Sequence, residues 1–156
     1  MKDFILIANV NCVLYNEVFP YIKEKKIQVG HTHIHHNGEG HFLFYTHEGK
    51  LKDIDNSRWL TTLPVNKEKK LKIVSTAVGK NYDNYPAINC DTVKDIPQDY
   101  YGNIGTSIYV LNYDLQEWEI VDKLIAPIIE GKKIYKRIII KKVYKNGNKQ
   151  EKLTEM

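Results

Sequence analysis

The sequence predicts an α/β chain weighted towards β, and three observations carry that reading. Residues 4–8, Phe-Ile-Leu-Ile-Ala, are a short continuous apolar run, the pattern of a strand buried on both faces of a parallel sheet. Residues 15–25 then show helical amphipathicity, with Val18, Phe19 and Ile22 facing inward and Lys23, Glu24 and Lys25 outward. Beyond them the apolar runs are short and divided by turn formers, notably Asn37-Gly38 and Glu130-Gly131. A chain of 156 residues is long enough for one domain with a substantial core.

Taken in order, the first strand needs neighbours that either the rest of the chain or a partner must supply. Asn11 or Asn16 could cap the helix, and Pro20 fits its first turns. All six histidines lie within residues 31–47. His31, His33 and His35 alternate, so on a strand they share a face that could hold zinc or copper, with Glu39 or His41 added. Ligands all drawn from one edge strand lack the supporting partners of a built site, and no metal is assigned. Asn37-Gly38 predicts a hairpin joining residues 31–35 to 41–46. Residues 58–63 read as a strand carrying Trp59 and ending at Pro64. Trp59 fits a core position better than a base-stacking one. A lysine-rich run at 67–72 and a short apolar segment at 71–77 follow.

Residues 81–121 are the densest part of the sequence. Tyr82, Tyr85, Tyr100 and Tyr101 stand among Asn81, Asn84, Asn89 and Asn103, with Pro86, Pro97, Gly102 and Gly105 setting the backbone. A stretch this long without an apolar period points to an ordered functional loop or to tyrosines laid on the core. Strands are expected at 107–112 and 117–121, with a corner at Tyr113-Asp114. The Glu130-Gly131 turn should then join 124–129 to 134–143. There Lys132, Lys133, Lys136, Arg137, Lys141, Lys142 and Lys145 surround Ile138-Ile139-Ile140. The formal charge of +4 is mild, so this clustering matters more than the total. A basic strand beside aromatic loops suits phosphate contacts.

Several classes are disfavoured. Cys12 and Cys90 make no disulfide framework or metal spacing. No secretory leader or membrane-length apolar run is present, which predicts a soluble, cytoplasmic protein without a membrane partner. No Ser or Cys sits in a nucleophile motif. Asp91, Asp95 and Asp99 recur every fourth residue, but Pro97 between them argues for turns and caps rather than a helical face.

The ordered series Tyr82-Asp83-Asn84-Tyr85, Ala87-Ile88-Asn89, Asp91, Val93, Asp95-Ile96-Pro97, Asp99-Tyr100, Gly102 and Gly105, running on to Trp118-Glu119-Ile120, resembles the EcoRI-type adenine-specific DNA methyltransferases. Ile5-Leu6-Ile7-Ala8-Asn9 with Asn11, then residues 15–23, resemble the strand and helix after that family's catalytic strand. Trp59, Thr62 and Leu63 are similar to its Trp-Thr-Leu region, and residues 131–138 to its closing basic strand. The likeness spans roughly residues 4–143, with departures at Pro86, Cys90 and residues 31–47.

The resemblance implies the C-terminal part of a methyltransferase Rossmann-like sheet in residues 1–30. A β-rich DNA-recognition region follows in 31–144, and a disordered polar tail in 145–156. It implies S-adenosylmethionine as cofactor of the complete enzyme and double-stranded DNA as partner. In the family, an Asn-Pro-Pro-aromatic motif accepts the adenine amine and stacks on the flipped base. The five prolines of this chain are never adjacent, and Gly38-Glu39-Gly40 does not follow a buried strand. The expectation is therefore a split, truncated or partial enzyme that binds no cofactor alone and has no catalytic residue. It would contribute target recognition, with an N-terminal catalytic polypeptide docking on residues 4–7. The candidate DNA-binding residues are Asn9, Asn11, Trp59, Tyr82, Asn84, Tyr85, Asn89, Lys136, Arg137, Lys141 and Lys142. A free-standing nucleic-acid-binding accessory protein without catalysis is the alternative, and a tyrosine-rich protein–protein module a third reading.

Overall fold

A computed structural model of the chain describes residues 2–30, 42–54, 57–67, 71, 79–97 and 100–143. The chain divides into two compact units, one of residues 1–70 with 108–114, the other of residues 71–107 with 115–156. Among the described residues both are β-rich, and helix is confined to short pieces.

In the first unit, β1 (Ile5–Asn9) leads into a 3-10 turn, Val10–Leu14, and then a single-turn helix, α1 (Phe19–Lys23). Strands β2 (Gln28–Val29), β3 (Phe42–Tyr45), β4 (Leu51–Ile54) and β5 (Ser57–Thr61) follow. β5 is the centre of a three-stranded sheet in the order β1-β5-β2, antiparallel on both sides. Phe4 closes the end of that sheet. Its carbonyl accepts from the Thr61 hydroxyl at 2.8 Å, and its amide donates to Thr62 Oγ1 at 3.0 Å. β3 and β4 form a separate antiparallel pair. The core gathers Val10, Val13, Leu14, Phe19, Ile22, Val29 and Leu60 with Ile108, Val110 and Leu111.

Three expectations for this unit change. The first strand pairs antiparallel with β5 instead of lying in a parallel sheet. It is not covered on both faces either, since Ile5, Leu6 and Ile7 are 61, 42 and 47 % exposed. An apolar run tells that cover is wanted, not where it comes from. The predicted helix over 15–25 contracts to five residues because Pro20 lacks an N–H in the first turn and Lys25, at φ 59°, turns out of the helix. Val18, Phe19 and Ile22 nevertheless face inward as the pattern requires. Residues 108–112 are a 3-10 turn, Ile108–Asn112, where a strand was expected. Its buried residues 108, 110 and 111 do not alternate, and so short an apolar run does not distinguish the two states. The expected hairpin through Asn37-Gly38 lies largely outside the described residues, and β3 takes β4 as its partner. Lys67 Nζ donates to the Leu111 carbonyl, and burial pulls the amine down to about 8 despite the nearby Asp114 carboxylate.

The second unit is built on a four-stranded sheet of β6 (Ile88–Asn89), β7 (Ile104–Thr106), β8 (Trp118–Leu124) and β11 (Arg137–Lys142), in the order β6-β7-β11-β8. A hairpin of β9 (Ile128–Ile129) and β10 (Lys132–Lys133) connects β8 to β11. Only β6 and β7 run parallel among the described strand pairs. Ile138, Ile139 and Ile140 are all fully buried. Successive strand residues point to opposite faces, so β11 is covered on both sides. The register with β8 slips by one residue at Ile139/Ile140, leaving Val121 as a bulge.

Candidate nucleic-acid interface

The tyrosine- and asparagine-rich loop is ordered by its own polar side chains. The Tyr82 ring lies over β7 where Gly105 faces Ile139, and a Cβ on Gly105 would strike that ring. Tyr82 is buried, and its hydroxyl donates to Asn89 Oδ1 at 2.8 Å. Burial raises the phenol above its ordinary range, opposed in part by the positive Arg137, so it stays protonated as the donor. Asn89 Oδ1 also accepts from Arg137 Nε at 3.0 Å, and Asn89 Nδ2 donates to Asp91 Oδ1 at 2.8 Å. Arg137, only 8 % exposed, completes the cluster by donating Nη2 to Asp91 Oδ1 at 3.1 Å. Its Nη1 donates to the Tyr135 and Lys136 carbonyls.

A second set of bonds fixes the β9–β10 hairpin against residues 83–84. Asn84 accepts from the Ile128 amide at 3.0 Å and donates to the Ala126 carbonyl at 2.9 Å. The Asp83 carboxylate accepts both tip amides, Glu130 N at 3.2 Å and Gly131 N at 2.8 Å. The Asp83 amide donates to Ile128 O at 2.7 Å. Tyr85, half-buried, donates its hydroxyl to Asp122 Oδ2 at 3.2 Å. Its phenol is raised by burial first and by that carboxylate second.

The sequence-predicted site residues therefore fall into groups. Tyr82, Asn89 and Arg137 meet in one cluster, with Tyr82 and Arg137 buried and Asn89 half-buried; Asn84 and Tyr85 brace neighbouring strands. Lys136, Lys141 and Lys142 are half-buried along β11 and its approach, and Lys142 Nζ lies 5.8 Å from the centre of the Tyr101 ring. In the first unit, Asn9 is exposed and caps the 3-10 turn by accepting the Asn11 amide at 2.9 Å. Half-buried Trp59 sits in the central strand β5, its carbonyl accepting from Gly30 N at 2.8 Å. The sequence-derived set omits Asp83, Lys132, Lys133 and Tyr135, although both lysines are exposed and Tyr135 is 60 % exposed. Their signal was the Glu130-Gly131 turn, which marks a hairpin whose flanks must carry the exposed side chains.

Beside the cluster of Tyr82, Asn89 and Arg137 lies a cleft of about 530 Å³ lined by Lys80, Asn89, Cys90, Asp91, Glu130 and Lys132, among others. Burial pushes the Cys90 thiol up to about 11, with Asp95 and Asp91 adding to it, so it is no ready nucleophile. Among the described residues no three His, Cys, Asp or Glu gather to hold a metal ion. No described helix is long and apolar enough to cross a membrane. The segment after β1 has no glycine and buries Val10, Val13 and Leu14, so it is not a glycine-rich cofactor turn.

The chain matches, over residues 1–155, the family model described as adenine-specific methyltransferase EcoRI, and it belongs to that family. It is 35 % identical to the type II methyltransferase M.EcoRI of Escherichia coli across 90 % of this chain and 50 % of that protein. Identity is 26 % to M.MpnI of Mycoplasma pneumoniae, across 90 % of this chain and 56 % of the relative. M.MgeORF184P of Mycoplasma genitalium is likewise 26 % identical, across 90 % and 57 %. The chain spans about half the length of these curated relatives. No solved structure matches it significantly.

Proposed function

We propose that these residues supply DNA target recognition in a type II adenine methyltransferase, the methyl-transfer chemistry residing in polypeptide outside them. The observation that carries the reading is the segment 132–142. In a family of DNA-modifying relatives, it concentrates Lys132, Lys133, Lys136, Lys141 and Lys142 beside Tyr101 and Tyr135. Double-stranded DNA is the partner, held first through its phosphates. Asn9, Asn11 and Trp59 belong to the part facing the target base, while Tyr82, Asn84, Tyr85, Asn89 and Arg137 act by holding the recognition surface in shape. S-adenosylmethionine serves the complete enzyme, which works in the cytoplasm. The catalytic polypeptide, with its Rossmann-like sheet, continues along β1, whose outer edge carries no strand among the described residues and exposes Ile5, Leu6 and Ile7.

The test is the salt dependence of binding to a fluorescent duplex. Affinity is expected to fall steeply with salt, and each lysine among Lys136, Lys141 and Lys142 that contacts a phosphate should reduce the slope by about 1 when replaced by Ala. A slope unchanged in the triple variant would show that these lysines only keep a strand edge soluble. The accessory-protein reading rests on the missing Asn-Pro-Pro-aromatic motif and predicts the same binding with no methylation when the rest of the enzyme is supplied.

A further inference from the structure

The β9–β10 hairpin turns through Glu130 at φ 49° and Gly131 at φ 79°, both left-handed. This is the two-residue turn whose twist matches paired strands, and the residues that adopt it without strain are Asn, Asp and Gly. A glutamate at positive φ is strained, because its Cβ crowds the backbone there. The chain nevertheless carries Glu there and supports it from outside the turn. Asp83 accepts both tip amides, Asn84 holds Ala126 and Ile128, and fully buried Pro127 accepts the Ile134 amide at 2.9 Å. Ile129 and Ile134 pack on the cluster of Tyr82, Ala87 and Ile139. The hairpin is thus fixed by its apolar side. Its tip presents a largely exposed Glu130 carboxylate, flanked by exposed Lys132 and Lys133. The carboxylate meets Lys80 Nζ at 3.2 Å, but an ion pair so exposed holds it weakly and is exchangeable.

We infer that this hairpin enters the major groove and that Glu130 reads an exocyclic amino group there. The inference rests on the DNA-recognition reading above. A two-stranded ribbon fits the major groove, where cytosine and adenine offer an amino donor and guanine and thymine offer only acceptors. A carboxylate has acceptors alone, so it pairs with the first two and is repelled by the others. Lys132 and Lys133 supply the cations that let a carboxylate approach a polyanion. Strain kept at an exposed tip, where among the described residues the Glu130 carboxylate makes only the weak pair with Lys80, is explained by that recognition task.

The experiment selects bound sequences from a duplex library with a randomised centre, using the whole 156-residue chain and its Glu130→Gly variant. Glycine suits the turn, so the variant should melt no lower than the parent, which separates recognition from folding. The expected result is unselected duplex bound as well as before or more tightly, with roughly tenfold loss of preference for cytosine or adenine at one position of the selected site. A selected site equally stringent in the variant overturns the inference, as does duplex binding by the parent without sequence preference; both leave the DNA-binding reading standing. A parent that binds no duplex overturns both.

Discussion

At the scale of single residues, polar side chains in the central loop organise the protein itself. Asn89 takes two donors on one oxygen and returns one bond to Asp91, so it joins a tyrosine, an arginine and an aspartate. Arg137 stands in a basic segment, yet its guanidinium is turned inward on Asn89 and Asp91. Composition alone showed its charge and not its direction. Gly105 is the residue on which this arrangement turns, because Tyr82 lies where any side chain would be. Gly105→Ala is expected to lower stability by about 1–3 kcal/mol, the usual cost of overpacking a filled site. Urea denaturation checks this, and an unchanged midpoint would mean that the Tyr82 ring moves aside freely.

At the scale of elements, the hairpin turn at Glu130-Gly131 was legible because turn chemistry is local. Its strands, however, are the short Ile128–Ile129 and Lys132–Lys133 where 124–129 and 134–143 were expected, and β11 starts only at Arg137. The clamp beneath the turn was not legible, since Asp83 is 47 residues from Glu130 and 48 from Gly131. Asp83→Ala should cost about 1 kcal/mol and selectively speed hydrogen exchange at the amides of Glu130 and Gly131. Asp83→Asn, which keeps one acceptor oxygen, should restore part of that protection. Equal exchange in all three proteins would show that the tip is held by its strands alone. The helix expected over 15–25 and the strand expected over 107–112 were misjudged for a related reason: windows this short carry no resolved period, and Pro20 and the tertiary setting decided them.

At the scale of the whole molecule, about half of each relative's length is matched, and the segment after β1 carries no glycine-rich turn. Calorimetric titration of the 156-residue chain with S-adenosylmethionine should give no heat of binding. Adding the half of the Escherichia coli relative that this chain does not cover should bring both binding and adenine methylation. Micromolar binding by the chain alone would contradict the first expectation, and a complex without methylation would favour the accessory-protein reading. The sequence by itself determined the family, the β-rich character, the lysine-dense segment and the turn at Glu130-Gly131, because motif order, composition and turn preference are properties of neighbouring residues. Only the tertiary structure decided that β1 pairs antiparallel with an exposed apolar surface, that Arg137 faces inward, and that Asp83 holds a hairpin tip. Those outcomes depend on which groups far apart in the chain meet, and burial and hydrogen-bond satisfaction choose among them only once the chain has folded.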